Sequence, residues 1–236
     1  MILVAGGGKG GSGKSTIATN LAIMRAQAHH DILLVDADDQ GTAADFTVLR
    51  NATVPGGAGY TCIQLTGPAV RTEVLRLTAK YDDVIIDAGG RDTVSQRAAL
   101  VLAHVLLVPF VPRSFDIWTL DAVSTLVQEI RTVNPELRAY AFINRGDASG
   151  TDNLDAAHLL QENAELAYLE TPILTRKAFG KAAAQGRAVT ELRPPDEKAI
   201  REMLTLYAAI FPDTGAQEDG DGHTETTTAP LGRAGP

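Results

Sequence analysis

The hydrophobic positions of this chain fall into short β-branched runs separated by segments long enough for helices. Five runs predict buried strands: Ile2–Ala5, Ile32–Asp36, Asp83–Asp87, Val105–Val108 and Ala139–Asn144. When strands alternate with helices along a chain, the strands pair in parallel and the helices cover both faces of the sheet. The pattern therefore predicts an α/β fold with a mostly parallel, twisted sheet.

Two of the intervening segments show an apolar stripe at helical spacing. The stripe residues are Ile117, Leu120, Val123, Val127 and Ile130 in the first segment, and Ile200, Met203, Leu204, Tyr207 and Phe211 in the second. Both stripes are interpreted as helix faces that pack on the sheet. The stretches Asn51–Gly59 and Gly146–Asn153 have the composition of loops.

Composition divides the 236 residues into two parts. Residues 1–211 hold the hydrophobic runs and predict one α/β domain. Residues 212–236 are rich in Asp, Glu, Gly, Thr and Pro, which predicts a disordered acidic tail. The tail carries five acidic residues and one basic residue, Arg233. Its net charge of −4 is half of the chain's net charge of −8. The domain itself is therefore only mildly acidic.

Few features of the chain favour secretion or a membrane location. A single cysteine, Cys62, excludes an internal disulfide and a bridged iron–sulfur cluster. The longest apolar stretch, Ala98–Val111, contains His104 and Pro109 and is shorter than the ~18 residues that a membrane-spanning helix needs. We expect a cytoplasmic protein.

The first strand leads directly into a glycine-rich segment, and Gly8 to Ser15 match the phosphate-loop pattern GxxxxGK[ST] between a strand and a helix. Glycines let the backbone N–H groups surround a phosphate, and the helix N-terminus adds a favourable dipole. Lys14 is expected to contact the β- and γ-phosphates, and Ser15 to contribute a hydroxyl to Mg²⁺. The predicted ATP-binding residues of the loop are Gly8, Lys9, Gly10, Gly11, Ser12, Gly13, Lys14, Ser15 and Thr16.

Acidic residues end two of the predicted strands, where a nucleotide site needs a carboxylate for Mg²⁺. Asp87 is the better candidate, because its strand is apolar and glycines follow it. Asp36, Asp38 and Asp39 end the other strand, and one or two of them can orient the attacking water. The alternative interpretation is that these three acids are solvated and cap the next helix.

A second lysine, Lys9, lies in the loop five residues before Lys14, and the general phosphate-loop pattern does not require it. The arrangement resembles the deviant Walker A motif of the ParA/MinD family of P-loop ATPases. Further likenesses lie in the segment Val35–Gly41, which resembles the family's switch I, in Tyr81–Asp87, which resembles its Walker B strand, and in Glu170–Gly186. The likeness is greatest to short ParA-type partition ATPases that lack an N-terminal helix-turn-helix.

The resemblance implies a role for each matching residue. Lys9 would cross the interface of an ATP-bound homodimer and contact the partner's phosphates, Asp38 would position the hydrolytic water, and Asp36 would support Asp38. Asn144 would contact adenine, and Pro172 and Ile173 would flank the base. Two positions depart from the family pattern. Asp39 stands where proline is usual, and Ala88-Gly89-Gly90 replaces Thr-Pro-Pro.

The expected partners follow from the charge of the C-terminal third. Residues 176–202 carry seven basic and four acidic residues in an otherwise acidic chain. The basic segment is therefore predicted to bind double-stranded DNA without sequence specificity, which would place the protein on the nucleoid. The acidic tail does not suit binding to a membrane. The alternative is an ordinary solvated face. The predicted contacts are Arg176, Lys177, Lys181, Arg187 and Arg201.

The function implied by the resemblance is that of a ParA-type ATPase. It would dimerise on ATP, bind DNA and position a plasmid, chromosome or other cargo, with hydrolysis stimulated by a centromere-binding (ParB-like) or adaptor protein. Two alternatives stay open. One is an ATP-dependent metabolic ligase resembling dethiobiotin or cobyrinate synthetases, which would consume ATP only with its acceptor. The other is a ParA-like regulator of conjugation or polysaccharide synthesis.

Overall fold

The structure, a computed structural model, describes residues 1–90, 92–112, 117–149 and 151–212. The strands are β1 (Ile2–Ala5), β2 (Ile32–Ala37), β3 (Thr61–Gln64), β4 (Asp83–Ala88), β5 (Val105–Phe110), β6 (Arg138–Gly146), β7 (Ala167–Tyr168) and β8 (Ile173–Leu174). The helices are α1 (Lys14–Gln27), α2 (Thr42–Thr53), α3 (Ala69–Leu77), α4 (Val94–Leu100), α5 (Ile117–Arg131), α6 (Asp152–Gln161), α7 (Lys177–Ala183) and α8 (Glu197–Ile210).

The strands form one twisted sheet in the order β3-β2-β4-β1-β5-β6-β7, and β8 also pairs with β6. Every strand pair in the described chain is parallel, as the sequence pattern predicts. The register sets Asp87 of β4 beside Ala5 of β1 on one side and beside Asp36 of β2 on the other. The ends of three neighbouring strands therefore meet at the start of the glycine-rich loop.

Alternate residues of each strand face two separate hydrophobic cores, as expected for a sheet that is covered on both sides. Ile2 and Val4 pack under α3, α4, α5 and α6. Leu3 and Ala5 pack under α1, α2, α7 and α8. The sheet is thus buried between two helical layers, and only its edges and the loops at the strand ends are left for ligands.

The five predicted strands are confirmed, and four of them are one to three residues longer than the pattern indicates. Three strands were not predicted: β3, β7 and β8 are short and lie at or beyond the sheet edges. Helix α2 continues to Thr53, inside one of the stretches interpreted as a loop. The proposed tail falls almost wholly on residues 213–236, which lie outside the described residues.

The apolar face of α5 is confirmed for Leu120, Val123, Val127 and Ile130, and the side chain of Ile117 lies outside the described part. The predicted face of α8 is partly wrong. Leu204 is 49% exposed, whereas Leu206 is fully buried. The buried stripe of α8 is Ala199, Met203, Leu206 and Ile210. Ala199, Leu206 and Ile210 each precede a predicted position by one residue, so the helix is rotated relative to the predicted face.

Candidate nucleotide-binding site

The glycine-rich loop leaves β1 at Ala5 and enters α1 at Lys14. Gly13, immediately before the helix, has φ 95°, a conformation that residues with a side chain rarely adopt. A Cβ on Gly13 would also lie 2.4 Å from Nδ2 of Asn144, so the position requires glycine. The loop thereby presents the N-terminus of α1 toward the loop interior, as an anion site needs.

Lys14 is buried inside the loop. Its side chain Nζ donates a hydrogen bond of 3.1 Å to the carbonyl oxygen of Lys9, and the residue is only 6% exposed. Burial lowers the pKa of Lys14, while the nearby carboxylates of Asp87 and Asp38 oppose that shift. The ammonium group is therefore held beside two acids at the place where phosphate oxygens would lie.

Asp87 ends β4 and is completely buried. Within the described residues neither of its carboxylate oxygens has a hydrogen-bond partner. Burial raises the pKa of Asp87 to about 7, and the charges of Asp36 and Asp38 add to the rise, whereas Ser15 and Lys14 oppose it. A buried carboxylate without partners is costly unless it serves a cation. Asp87 with the Ser15 hydroxyl thus fits Mg²⁺ or its water shell.

Asp36 and Asp38 lie at the end of β2 and use their carboxylates differently. Asp36 is buried and accepts backbone N–H groups from Asp38 at 3.2 Å and Ala44 at 2.8 Å. Burial raises the pKa of Asp36, although these two amides oppose the shift. Asp38 is half-buried, and its Oδ1 accepts the Gln40 amide at 3.2 Å. Asp39 is exposed.

The residues after Asp87 pack closely against the loop. A Cβ on Gly90 would lie 2.7 Å from the Gly10 nitrogen and 2.9 Å from Nζ of Lys14, so the position excludes any side chain. A Cβ on Gly89 would lie 3.6 Å from the Asp38 carboxyl group. Gly90 therefore lets this segment pack against the phosphate loop, whereas Gly89 leaves room for a Cβ in ordinary contact with Asp38.

A cavity of about 310 Å³ lies on the other side of the loop, next to Gly13 and Thr16. Asn144 lines it and donates Nδ2 to the Ser12 carbonyl oxygen at 2.6 Å. Ile173 and Leu174 also line the cavity, whereas Pro172 is exposed and is not among the lining residues. The structure thus brings Asn144 to the loop, and the apolar wall comes from β8 itself.

Comparison with known proteins agrees with this geometry. Residues 2–189 match the family described as "CobQ/CobB/MinD/ParA nucleotide binding domain". The chain belongs to this family. It is 30% identical over 207 residues to the maintenance of carboxysome distribution protein A of Gloeobacter kilaueensis, covering 86% of this chain and 88% of that protein. The same protein from Halothiobacillus neapolitanus is 22% identical over 205 residues, covering 86% and 93%.

Solved structures share the fold. An ATP complex of Cyanothece McdA superposes with a TM-score of 0.75 at 18% identity, covering 92% of this chain and 98% of that chain. A Borrelia burgdorferi protein named as a putative plasmid partition protein, bound to AMPPNP, gives a TM-score of 0.69 at 18% identity, with 89% and 97% coverage. The prediction of a ParA/MinD-type P-loop ATPase fold is confirmed.

The basic segment of this ParA-like chain is less uniformly charged than its sequence indicates. Lys177, Lys181 and Arg201 are exposed. Arg176 instead pairs with Glu202, with Nε 3.0 Å from both carboxylate oxygens, and the two side chains are only 19% and 16% exposed. Arg187 is half-buried. The predicted contacts that remain exposed therefore lie on α7 and α8.

Two further observations complete the site. Arg145, which the sequence pattern did not single out, donates Nη1 to the Gly11 carbonyl oxygen at 2.9 Å. No local signal in the sequence marks that contact, because it depends on how β6 ends.

Across the described ranges, none of the helices is long and apolar enough to cross a membrane.

Proposed function

We propose that this chain is a ParA-type positioning ATPase that dimerises on ATP and binds DNA without sequence preference. When an adaptor protein stimulates hydrolysis, the dimer would separate and leave the DNA. The observation that carries the proposal is the placement of two lysines in one phosphate loop. Lys14 is buried beside Asp87, whereas Lys9 is exposed at the loop surface. One lysine would thus serve the loop's own nucleotide, and the other lies at the surface that a second copy would approach.

At the nucleotide, backbone N–H groups of Gly8 to Thr16 would bind the phosphates, and Lys14 would contact the β- and γ-phosphate oxygens. Ser15 and Asp87 would hold Mg²⁺, which when bound offsets phosphate charge. Asn144 would hold the loop beside the adenine cavity. The buried carboxylate of Asp87 supports this assignment. Its oxygens have no hydrogen-bond partner within the described residues, and Lys14 is the positive charge that acts on it, so a bound cation would stabilise it further.

Lys9 would act between subunits. Two copies that face each other through their nucleotides concentrate phosphate charge at the interface, and a cation from the opposite chain offsets that charge. ATP would then control dimerisation, and hydrolysis would end it. Asp38 would orient the attacking water through the carboxylate oxygen that the Gln40 amide leaves available, and Asp36 would hold the turn that carries Asp38.

The exposed cations Lys177, Lys181 and Arg201 would contact DNA phosphates, with Arg187 at the margin. Contacts of this kind are weak singly, and a dimer doubles them, so attachment to the nucleoid would depend on ATP. The cargo class is suggested by relatives whose names refer to carboxysome distribution, to cell division and to plasmid partition. The adaptor would be a ParB-like or cargo-bound protein.

A dimerisation experiment tests the proposal. Sedimentation velocity with ADP and with the imido analogue AMPPNP should show monomers with ADP and dimers with AMPPNP. Lys9→Ala should bind ADP normally yet remain monomeric with AMPPNP. Lys80→Ala, an exposed lysine remote in sequence from the loop, is the matched control and should dimerise.

Two results would count against the proposal. Normal dimerisation of Lys9→Ala would remove the role of Lys9 between subunits. ATP turnover that requires a small carboxylate acceptor, by a chain that stays monomeric, would favour the metabolic ligases of the same family, of which a cobyrinic acid a,c-diamide synthase from Mycobacterium smegmatis shares the fold with a TM-score of 0.64.

A further inference from the structure

Strand β6 contains one residue more than its neighbour β8 at the edge of the site. Asn144 pairs with Ile173 and Gly146 pairs with Leu174, so Arg145 is the extra residue of a bulge. Its φ is 57°, in the left-handed region that side chains disfavour. Within the described residues, His29 is the other non-glycine residue with a positive φ.

Thr175, the residue that follows β8, stabilises the bulge through two hydrogen bonds. The Thr175 hydroxyl donates to the Arg145 carbonyl oxygen at 2.8 Å. The Thr175 backbone N–H donates to the Gly146 carbonyl oxygen at 2.8 Å. A strained conformation persists only when its surroundings enforce it, and such residues are concentrated at functional sites. The two hydrogen bonds from Thr175 hold Arg145 in its left-handed conformation.

The bulge changes where two consecutive side chains go. In a regular strand, Asn144 and Arg145 would point to opposite faces of the sheet. Bulges redirect side chains, and here both side chains reach the phosphate loop. Asn144 donates to the Ser12 carbonyl oxygen at 2.6 Å, and Arg145 donates to the Gly11 carbonyl oxygen at 2.9 Å.

The part of the loop that Arg145 contacts has little packing of its own. A Cβ on Gly10 or Gly11 would meet no atom within 4 Å, and both residues are exposed. Gly90 approaches this segment from one side, at the Gly10 nitrogen. Arg145 contacts the same segment at the Gly11 carbonyl oxygen, and both Arg145 and Lys9 line a cavity of about 340 Å³.

We propose that Arg145 is a positioning residue that holds the loop segment Lys9–Gly11 in the orientation from which Lys9 reaches a second copy of the chain. The inference rests on the proposed function, because it takes the dimer from there. A guanidinium suits the task, since a charged donor strengthens the hydrogen bond to a carbonyl oxygen. Asn144 then secures the part of the loop next to the nucleotide, and Arg145 secures the part next to the partner.

The test is Arg145→Gly, because glycine accepts the positive φ and removes only the side chain. Two quantities are measured: the dimer dissociation constant at saturating AMPPNP, by sedimentation equilibrium, and the affinity of the monomer for fluorescent ADP. We expect the dimer constant to rise at least tenfold and the ADP affinity to change less than threefold. The thermal midpoint should not fall, which shows that the variant folds.

His29→Gly is the matched control, since it makes the same backbone change at the end of α1, away from the loop, and should alter neither quantity. Arg145→Lys, which keeps a charged donor, should restore part of the dimerisation. An unchanged dimer constant in Arg145→Gly would overturn the inference. Equal losses of ADP affinity and dimerisation would also overturn it, because Arg145 would then act on the nucleotide.

Lys9→Ala separates this inference from the proposed function. If Lys9→Ala dimerises normally, the proposed dimer itself fails, whatever Arg145→Gly does. If Lys9→Ala is monomeric while Arg145→Gly dimerises like the unaltered protein, the dimer stands and the role of Arg145 fails.

Discussion

The phosphate-loop edge of the sheet and the basic segment on α7 and α8 both concentrate charge, but they hold it in opposite ways. At the loop edge, Lys14 and Asp87 are buried, and the carboxylate of Asp87 lacks a hydrogen bond within the described residues. On the basic segment, Lys177, Lys181 and Arg201 lie at the surface, and Arg176 is already paired with Glu202.

The difference teaches how far each kind of sequence signal can be trusted. A motif defined by spacing predicts geometry, because a strand, a glycine loop and a helix leave its side chains few places to go. A count of charges predicts less, since surface cations find acidic partners after folding. The geometry of the nucleotide site therefore follows from its motif, whereas the charge of the basic segment depends on which acidic partners folding supplies.

The largest expected effect separates two neighbouring acids. Asp38→Ala should reduce ATP turnover about a hundredfold, the usual size for loss of a group that orients water or accepts its proton. Dimerisation on ATP should persist in this variant. Asp39→Ala changes the adjacent, exposed acid and should stay within twofold. Phosphate release assays measure both. Equal losses in the two variants would indicate a general disturbance of the turn.

The second prediction compares the two ends of β4. Asp87 has its pKa raised from 3.8 to about 7 by burial, so its own contribution to the stability of the nucleotide-free fold is greatest at low pH and is lost as pH rises from about 4 to 7. Asp87→Asn should remove that loss. The unfolding free energy of Asp87→Asn should be compared with that of the unaltered protein at each pH. The difference in favour of the variant should be about 3 kcal/mol larger at pH 8 than at pH 5.

Asp83 gives the opposite sign at the other end of the same strand. Burial raises its pKa, but the N-terminal amine at 2.9 Å and Arg25 lower it by more, so the net shift is downward. Its stabilisation is present at neutral pH and is lost as pH falls. Asp83→Asn should therefore destabilise by about 2 kcal/mol at pH 7. Urea unfolding without nucleotide measures both; a destabilised Asp87→Asn at pH 8 would contradict the contrast.

The smallest effect concerns the basic segment. Lys177→Ala should weaken ATP-dependent DNA binding a few-fold and reduce the slope of log affinity against log salt by about one. Arg176→Ala should leave the slope unchanged, because Glu202 already neutralises Arg176, and should lower the thermal midpoint instead. Binding titrations at several salt concentrations distinguish the two. A smaller slope in Arg176→Ala would place Arg176 among the DNA contacts.

Much of the fold could be predicted from sequence because the central strands are continuous apolar runs. β3 could not, since its four residues are exposed or half-exposed, and β7 and β8 are two residues each. The misplaced face of α8 has a similar origin. Leu204 and Leu206 are both apolar, and only packing over the sheet decides which one is buried.

The candidate site divides in the same way. Spacing placed Lys14, Ser15 and the strand-end acids, because β1, β2 and β4 end together. Arg145 had no such signal: its contact with Gly11 arises from a bulge and a left-handed backbone, which short-range patterns do not predict for arginine. The pairing of Arg176 with Glu202 joins residues 26 positions apart in sequence and appears only after folding.

The most direct test of the central proposal is a crystal structure of Asp38→Ala with ATP and Mg²⁺. We predict two copies face to face, with Nζ of Lys9 in each copy within hydrogen-bond distance of the phosphates bound by the other. Copies that are not associated, or a Lys9 whose ammonium contacts only its own subunit's nucleotide or solvent, would contradict the account.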